Sequence, residues 1–446
     1  MIAPKAKLTS KEKVRKLQRT LYRAAKASPE RTFGVLYDKV WRQDVLMEAT
    51  RRVVSNRGGP GVDEQTVAEL KVYGVERFVA ETQEELRQKR YRPDRVLRHY
   101  IRKANGKMRS LGIPTLKDRI IQMAVKLVIE PLFEADFQAC SFGFRPKKSA
   151  QEATQMIRYV VKGGAKWVLD VDLRSYFDTI PHDKLMVLVQ ERVTDVWVLR
   201  LIRWWLKAGV LEDGQVTSPT LGSPQGGVIS PLLSNIYLNL VDRIWVKRGY
   251  QNRHDGWEGA LVRYADDMVV LCRTEDAARF YKEQLAHLLA RMELSLNEEK
   301  TRTARVKEGF NFLGIHHREA KSWSGRPFSL AMPSAKAMVN IRAKIKETIQ
   351  SQGLQGSLNE VIKALNPVLR GWSEYFRRTN AARSFQDIDR YALEQLHLGW
   401  CRKHASKWAL RSRGIPAELF YKAGLLPLSD RVTQQGSFKP NRMPIG

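Results

Sequence analysis

The period of the apolar positions changes several times along the chain, and each change marks a new element. From Leu8 to about Ala27 the chain is rich in Lys and Arg and helix-prone. Ser10 is the expected N-cap, with Glu12 and Lys13 in the first turn. Between about Arg31 and Val54 a second helix is predicted, because Phe33, Leu36, Tyr37, Val40 and Trp41 follow the i, i+3, i+4, i+7, i+8 spacing of one apolar face. Gly58-Gly59-Pro60-Gly61 demands a turn, and helical spacing resumes to Lys89. From Val96 to Ile113 the pattern is strand-like and is broken by Asn105-Gly106, a hairpin signal. Leu116 to Phe133 reads as an amphipathic helix. Two apolar strands follow that carry acids: Trp167 to Leu173 with Asp170 and Asp172, and Val262 to Leu271 with Asp266 and Asp267. Beyond Pro333 the pattern is helical, with Trp372, Tyr375, Phe376, Tyr391, Leu393 and Trp400 on apolar faces. Leu330-Ala331-Met332-Pro333 is the expected domain boundary, and there is no internal repeat.

Composition narrows the class. The chain has 446 residues, 43% hydrophobic and 28% charged, which is a globular balance and not that of a disordered basic protein. At roughly 100–200 residues per domain, two to four domains are expected. No apolar run approaches the ~18–20 residues needed to cross a bilayer. Cys140, Cys272 and Cys401 form neither a disulfide framework nor a zinc motif, so a reducing, cytoplasmic setting is expected. The basic N-terminal helix uses Lys as well as Arg and is poor in Ser, which argues against a transit peptide.

The formal charge of +30 calls for a polyanionic partner, with nucleic acid the default. Its distribution is uneven. Residues 1–110 hold 27 Lys+Arg against 13 Asp+Glu, residues 111–330 hold 31 against 26, and residues 331–446 hold 19 against 8. A catalytic core with basic flanks has this profile, and so does an RNA binder with a neutral core.

The chemistry concentrates in the two acidic strands. Ionised carboxylates inside apolar runs are costly unless paired or metal-bound, and adjacent acids repel. A hairpin turn capped by Asp266 and Asp267 would also explain that pair, but the flanking strands would still project carboxylates beside a buried sheet. Two Mg²⁺ ions held by oxygen ligands are the simplest reading. Lys103, Lys107 and Arg109 on the expected hairpin suit a triphosphate. Gly222-Ser223-Pro224-Gln225-Gly226-Gly227, before an apolar helix from Val228 to Leu240, allows close backbone approach to a ligand but lacks a P-loop ending.

Nine motifs in order give a resemblance. They are Gly59 to Asp63, Arg109 to Pro114, Ser141-Phe142-Gly143-Phe144-Arg145-Pro146, Asp172 to Asp178, Pro224 to Gly227 with Ile229 to Leu232, Tyr264 to Asp267, Leu296 to Thr301, Phe312-Leu313-Gly314, and Gly371 to Phe376. Across residues 56–376 the chain resembles a group II intron-encoded reverse transcriptase, or maturase. The resemblance implies an α+β right-hand polymerase with fingers, a palm built on an antiparallel sheet, and a helical thumb. It implies a helical extension over 1–95, fingers and palm over 96–330, a thumb/maturase (X) domain over 331–400, and a basic tail over 401–446 that could bind DNA. Asp172, Asp266 and Asp267 would hold two Mg²⁺ ions, with the Leu173 carbonyl as a further ligand. Phe177 would be the steric gate against a ribose 2′-hydroxyl. Gln225 would contact the incoming dNTP, Lys103 and Arg109 its phosphates, and Lys300 would protonate pyrophosphate. Arg370, Arg377, Arg378, Arg402, Lys403 and Lys407 would contact RNA. The implied partners are intron RNA, an RNA template with a DNA primer, dNTPs and target DNA, with no membrane.

Departures from the pattern are few. Arg102 and Ser110 stand where prolines are usual, and Glu64 where Gly is frequent. The C-terminal endonuclease of many relatives brings a His-Asn-His core with paired cysteines, and Gly446 is reached without either. His316-His317 reads as an exposed loop pair. Three functions stay open on these residues: a polymerase that also assists splicing and intron mobility, a splicing factor with a vestigial polymerase, and a host-adopted reverse transcriptase in defence or repair. An RNA-directed RNA polymerase is disfavoured by Phe177.

Overall fold

The structure is a computed structural model and describes residues 8–56, 58–102, 106, 108–212, 215–217, 222, 226–251, 258–351, 357–403 and 416–431. Helix α1 (Ser10–Ala27) is capped by Thr9 and not by Ser10. The Glu12 amide donates to the Thr9 hydroxyl at 3.3 Å, and the Thr9 amide donates to the Glu12 carboxylate at 2.9 Å, a reciprocal box. The single helix expected over 31–54 is absent. Phe33 forms a bridge with Val193, and α2 (Tyr37–Val40) and α3 (Gln43–Ser55) follow. The apolar spacing still reports burial, since Phe33, Leu36, Tyr37 and Val40 are all in the core. Asp195 decides the break: its carboxylate accepts the Leu36 and Tyr37 amides, each at 2.8 Å, and so fixes where α2 begins.

Helices α4 (Val67–Tyr73) and α5 (Val75–Arg87) divide at Gly74. Then come β1 (Val96–Arg102), β2 (Met108–Ile113), α6 (Leu116–Glu134) and α7 (Ala150–Lys162). Helix α6 is buried on all sides and is not amphipathic. It forms the centre against which α1 and α3 pack. Next are β3 (Trp167–Val171), α8 (Tyr176–Thr179), α9 (His182–Gln190), α10 (Val196–Lys207), β4 (Val210–Glu212), β5 (Gln215–Thr217) and α11 (Ser230–Lys247). The acidic run over 262–271 is two strands, β6 (Ala260–Tyr264) and β7 (Asp267–Cys272), followed by α12 (Glu275–Arg291) and β8 (Arg302–Arg305). The chain continues through β9 (Phe310–Phe312), β10 (Ile315–Lys321), β11 (Pro327–Pro333), α13 (Ala335–Ser351), α14 (Leu358–Phe376) and α15 (Ala382–Lys403).

Three sheets result. The fingers sheet has the order β2-β1-β4-β5, the palm sheet β6-β7-β3-β8, and a third sheet β11-β10-β9 links palm to thumb. Every pair in the palm sheet is antiparallel. Strand alternation sorts the palm side chains onto two covered faces. Leu169, Val171, Leu261, Met268 and Val270 join the core built on α6, α11 and α12. Val168, Val262, Val269 and Leu271 join a separate core under α7. The thumb has its own core, in which Ile345, Leu365, Phe385 and Ile388 meet a short helix, Ala417–Lys422.

The departures from the family pattern find local explanations. Glu64 sits at φ 55, a left-handed backbone that Gly adopts without strain. Ser110 pairs with Tyr100 and Arg102 with Met108 in a continuous ladder, where a proline would remove a donor. The histidine pair is not a loop. His316 and His317 lie in β10, and His317 is fully buried and stacked on Phe310 at 5.2 Å with an 18° interplanar angle.

Burial, with Arg158 and His316 nearby, pushes His317 down to about 3. A folded value below the unfolded one means stability is complete above about pH 6.5 and is lost as pH falls and the unfolded chain takes up protons. His317→Leu should therefore flatten the acid limb. Between pH 7.5 and 5, wild type should lose about 2 kcal/mol more than the variant, read as denaturant midpoints; equal losses would refute the assignment.

Candidate active site

The palm ladder ends in carboxylates. β3 pairs with β7 from Trp167↔Cys272 to Val171↔Met268, so the next position on each strand is Asp172 and Asp267. Alternation puts both on the side that carries Val168, Val269 and Leu271. Side chains directly opposite in an antiparallel pair stand about 5 Å apart, and like charges there are destabilising. Tyr264 pairs with Asp267, leaving Ala265-Asp266 as a two-residue turn with Ala265 at φ 57. The turn foreseen as the plain explanation of Asp266-Asp267 is thus present, and it brings these acids to the end of the ladder that Asp172 follows.

Asp172 is fixed through its backbone. Its carbonyl accepts the Asn297 amide at 2.8 Å, and Leu173 bridges to Leu296. Its carboxylate takes the Lys300 ammonium at 3.2 Å. Lys300 is therefore paired with Asp172 while remaining exposed to solvent. One step back, Asp170 is pushed up to about 6 by burial and by Asp172, against the pull of Arg302. Among the described residues no three His, Cys, Asp or Glu side chains form a finished metal cluster. The donor set is nonetheless all oxygen, and Asp172 already holds a cation in the form of Lys300. Those features suit a hard divalent ion entering between Asp172 and the turn.

What holds the turn was not anticipated. Arg263 is fully buried on the α11 side of the sheet. Burial alone would favour loss of its charge, but Asp242 beside it holds the guanidinium charged. Arg263 Nε donates to Asp242 at 2.9 Å, and Nη1 donates to Asn235 Oδ1 and to the Ala265 carbonyl, both at 3.0 Å. Asn235 Nδ2 then donates to the Gly143 carbonyl at 2.7 Å. Residues 140–142 run along β6, with the Arg263 amide donating to Cys140 and the Phe142 amide to Arg263, each at 2.8 Å. A Cβ on Gly143 would stand 2.3 Å from the Ala265 nitrogen, so only glycine lets this segment lie against the turn. The signal was in the sequence: Arg263 after Leu261-Val262, and Asn235, Asn239 and Asp242 in the apolar helix after the Gly-rich loop.

The nucleotide-side residues are only partly visible. Phe177 is half-buried on α8, edge-on to Tyr176 at 5.3 Å. Lys103, Lys107 and Gln225 lie outside the described residues, as does Lys407. The backbone of Arg109 pairs with Ile101 on β1. The ends of the Gly-rich loop tie the two regions together. A Cβ on Gly222 would stand 2.9 Å from the Phe177 carbonyl, and one on Gly226 would stand 2.5 Å from that of Gly112 on β2. Helix α11 starts at Ser230, not Val228, whose amide goes instead to Gln122 at 2.9 Å. In the thumb, Arg370 and Arg378 are exposed and Arg377 pairs with Glu374 at 2.8 Å, while Arg402 and Lys403 fall in the last turn of α15. None of these thumb residues belongs to the aspartate site.

Two family models match: reverse transcriptase (RNA-dependent DNA polymerase) over residues 101–317, and the group II intron maturase-specific domain over residues 338–414. Protein YkfC of Escherichia coli K12 is 34% identical over 68% of this chain and 87% of its own length. Group II intron-encoded protein LtrA of Lactococcus lactis is 30% identical over 68% of this chain and 60% of its own length. The chain belongs to the group II intron reverse transcriptase/maturase family. It spans about three-fifths of LtrA, and the reverse transcriptase match ends in β10, beyond the aspartate hairpin. Among solved structures, a chain of the partial Cas6-RT-Cas1–Cas2 complex covers 60% of this chain and 43% of its own at 21% identity and TM-score 0.35, too distant to bear on the site. Among the described residues no helix is long and apolar enough to cross a membrane.

Removing one partner of the buried pair should be severe. Asp242→Ala leaves the Arg263 charge unpaired and should cost about 3–5 kcal/mol in chemical denaturation. Gly143→Ala should fold, but by displacing the turn it should lower the polymerisation rate about 100-fold with RNA affinity unchanged. A Gly143→Ala enzyme of normal rate would show that the contact does not position the turn.

Proposed function

We propose that this reverse transcriptase copies RNA into DNA by two-metal-ion nucleotidyl transfer at Asp172, Asp266 and Asp267, and that its basic flanks hold intron RNA to assist splicing and mobility. The observation that carries the reading is the hairpin turn that sets Asp266 and Asp267 at the ladder end followed by Asp172. Bound there, Mg²⁺ ions would lower the pKa of a primer 3′-hydroxyl and stabilise the departing pyrophosphate.

The chain's own residues supply the rest. Asp172, Asp266 and Asp267 provide the oxygen donors, and the Leu173 carbonyl lies next along the chain. Lys300 sits against Asp172, where its ammonium would stand beside the departing pyrophosphate and protonate it. Phe177 stands beside the entrance to the Gly-rich loop, where its ring would meet a ribose 2′-hydroxyl. Lys103, Arg109 and Gln225 would orient the triphosphate and base from the fingers and the loop.

RNA binding is supported from both flanks. On α1, Lys11, Arg15, Arg19 and Arg23 recur every fourth residue on the exposed face, opposite buried Val14, Leu21 and Ala25. That row suits contacts to a phosphate backbone. Arg370 on α14, with Arg377 and Arg378 just past its end, adds basic character within the maturase-specific domain, and target DNA could be met by the segment after 400.

Primer extension on an RNA template with dNTPs and Mg²⁺ tests the reading. Asp266→Ala should abolish extension while RNA affinity stays within about twofold, and a variant as fast as wild type would remove the metal assignment. Phe177→Ala should raise incorporation of rNTPs, and an unchanged preference for dNTPs would remove the gate. Intron RNA affinity should fall steeply, by orders of magnitude, between ~50 and ~200 mM salt.

A further inference from the structure

The palm has a second charged end. β3 begins beside Lys166, about 20 Å of strand from Asp172 at roughly 3.3 Å per residue. Lys166 reaches Glu319 of β10 at 2.8 Å, and the Glu319 amide donates to Val306 just past β8. The β10–β11 hairpin is thereby tied to the end of the palm away from the aspartates. Its other end behaves oppositely: Leu313, just before β10, accepts the Tyr375 hydroxyl at 2.9 Å, and Tyr375 is close enough to Tyr264 and Asp267 to feel their charge. Pairing runs from Ile315↔Pro333 to Lys321↔Pro327, so the hairpin tip lies about 20 Å further along.

At that tip Trp323 is fully exposed, the most exposed large apolar side chain of the described residues. The turn beneath it is well ordered by hydrogen bonds. The Ser322 amide donates to Arg326 at 2.8 Å, the Gly325 amide to Ser322 at 2.9 Å, and the Arg326 amide to the Ser322 hydroxyl at 3.1 Å. Lys321 and Arg326 flank the turn and Arg318 lies three residues further down β10, all exposed, and no acid pairs with them among the described residues. A hydrogen-bonded hairpin that holds an indole in water beside Lys321 and Arg326, with Arg318 lower on the same strand, is not explained by folding, because the tip contributes nothing to any core.

We propose that this hairpin tip is an RNA-binding site separate from the polymerase cleft, in which Trp323 stacks on an unpaired base and Arg318, Lys321 and Arg326 hold the flanking phosphates. The inference rests on the reading of the chain as an RNA-binding reverse transcriptase and adds a second point of contact to it. An unpaired loop of a folded RNA is the occupant that fits. Its bases offer free π-faces, whereas those of a paired stem are stacked away, and its backbone supplies the negative charge. A protein ligand with an acidic, apolar surface is the competing occupant that the test separates.

The test uses the full chain with its cleft filled by primer–template, and a labelled RNA hairpin with an eight-nucleotide unpaired loop as probe. A fully paired RNA duplex and the DNA version of the hairpin serve as controls. Trp323→Ala should weaken binding of the looped RNA about tenfold, within the range for loss of one base–aromatic stack. Trp323→Phe should restore most of it, and binding of the paired duplex should not change. Primer extension by Trp323→Ala should match wild type. Equal affinity of Trp323→Ala and wild type for the looped RNA would overturn the proposal, as would an equal loss on the paired duplex. A parallel fall in extension would also overturn it, by placing Trp323 in the cleft. An inactive wild type in the same extension assay would instead refute the polymerase reading, while the loop-binding comparison would still decide the tip.

Discussion

The catalytic end of the palm depends on one buried ion pair. Arg263 occupies a position where strand alternation demands an apolar side chain facing α11, and the helix answers with Asp242 and Asn235. Such a pair gains little net stability over a hydrophobic substitute, because desolvating both charges offsets most of their attraction. What it provides is directionality. A leucine at this position would fill space, but it could not donate to the Ala265 carbonyl. The guanidinium does so at 3.0 Å, and through Asn235 it also fixes the Gly143 carbonyl. Turn, flanking segment and helix then become one unit whose geometry is set by hydrogen bonds with defined angles.

That unit explains why the aspartates can sit where they do. Both faces of the palm sheet are covered, one by α11 and α12 and the other by α7. Repulsion between Asp172 and Asp267 would splay a free ladder end. Here the backbone of Asp172 is tied to Asn297, its side chain is partly neutralised by Lys300, and the opposing turn is pinned from beneath by Arg263. The backbones that carry Asp172 and Asp267 are thus held in register by the scaffold, so a cation would meet strand ends already ordered. The raised value of Asp170 marks the limit of this arrangement: two residues deeper, a drier setting and the charge of Asp172 push a carboxyl up to about 6.

Much of this was legible in the chain. The acidic strands, the hairpin at 96–113 and the helical thumb follow from period and punctuation, and the ordered motifs fixed the family. The failures have physical causes. Phe33 to Trp41 carry helical spacing, yet Asp195, about 160 positions away in sequence, captures two amides and forces a break. His316-His317 looked polar and therefore exposed, but a neutral imidazole stacked on Phe310 packs as a flat ring. Arg263, Asp242 and Asn235 are polar residues in apolar runs, but their mutual pairing is a tertiary fact that no local pattern encodes.

The same reasoning recasts the net charge of +30. A uniform basic coat would draw nucleic acid to the whole surface, including the acidic cleft. Instead the palm strand that leads to Asp172 begins about 20 Å away at Lys166, whose pairing with Glu319 ties that end to the hairpin carrying Arg318, Lys321 and Arg326. At physiological salt the Debye length is about 8 Å, and exposed charges separated by more than twice that are largely screened from one another. Charge at the basic end is therefore screened from the aspartates, and RNA held there would leave the acidic end undisturbed. Charges on a smaller fold would interfere. The length of the palm strand would thus let one chain grip a polyanion at one end and concentrate cations at the other.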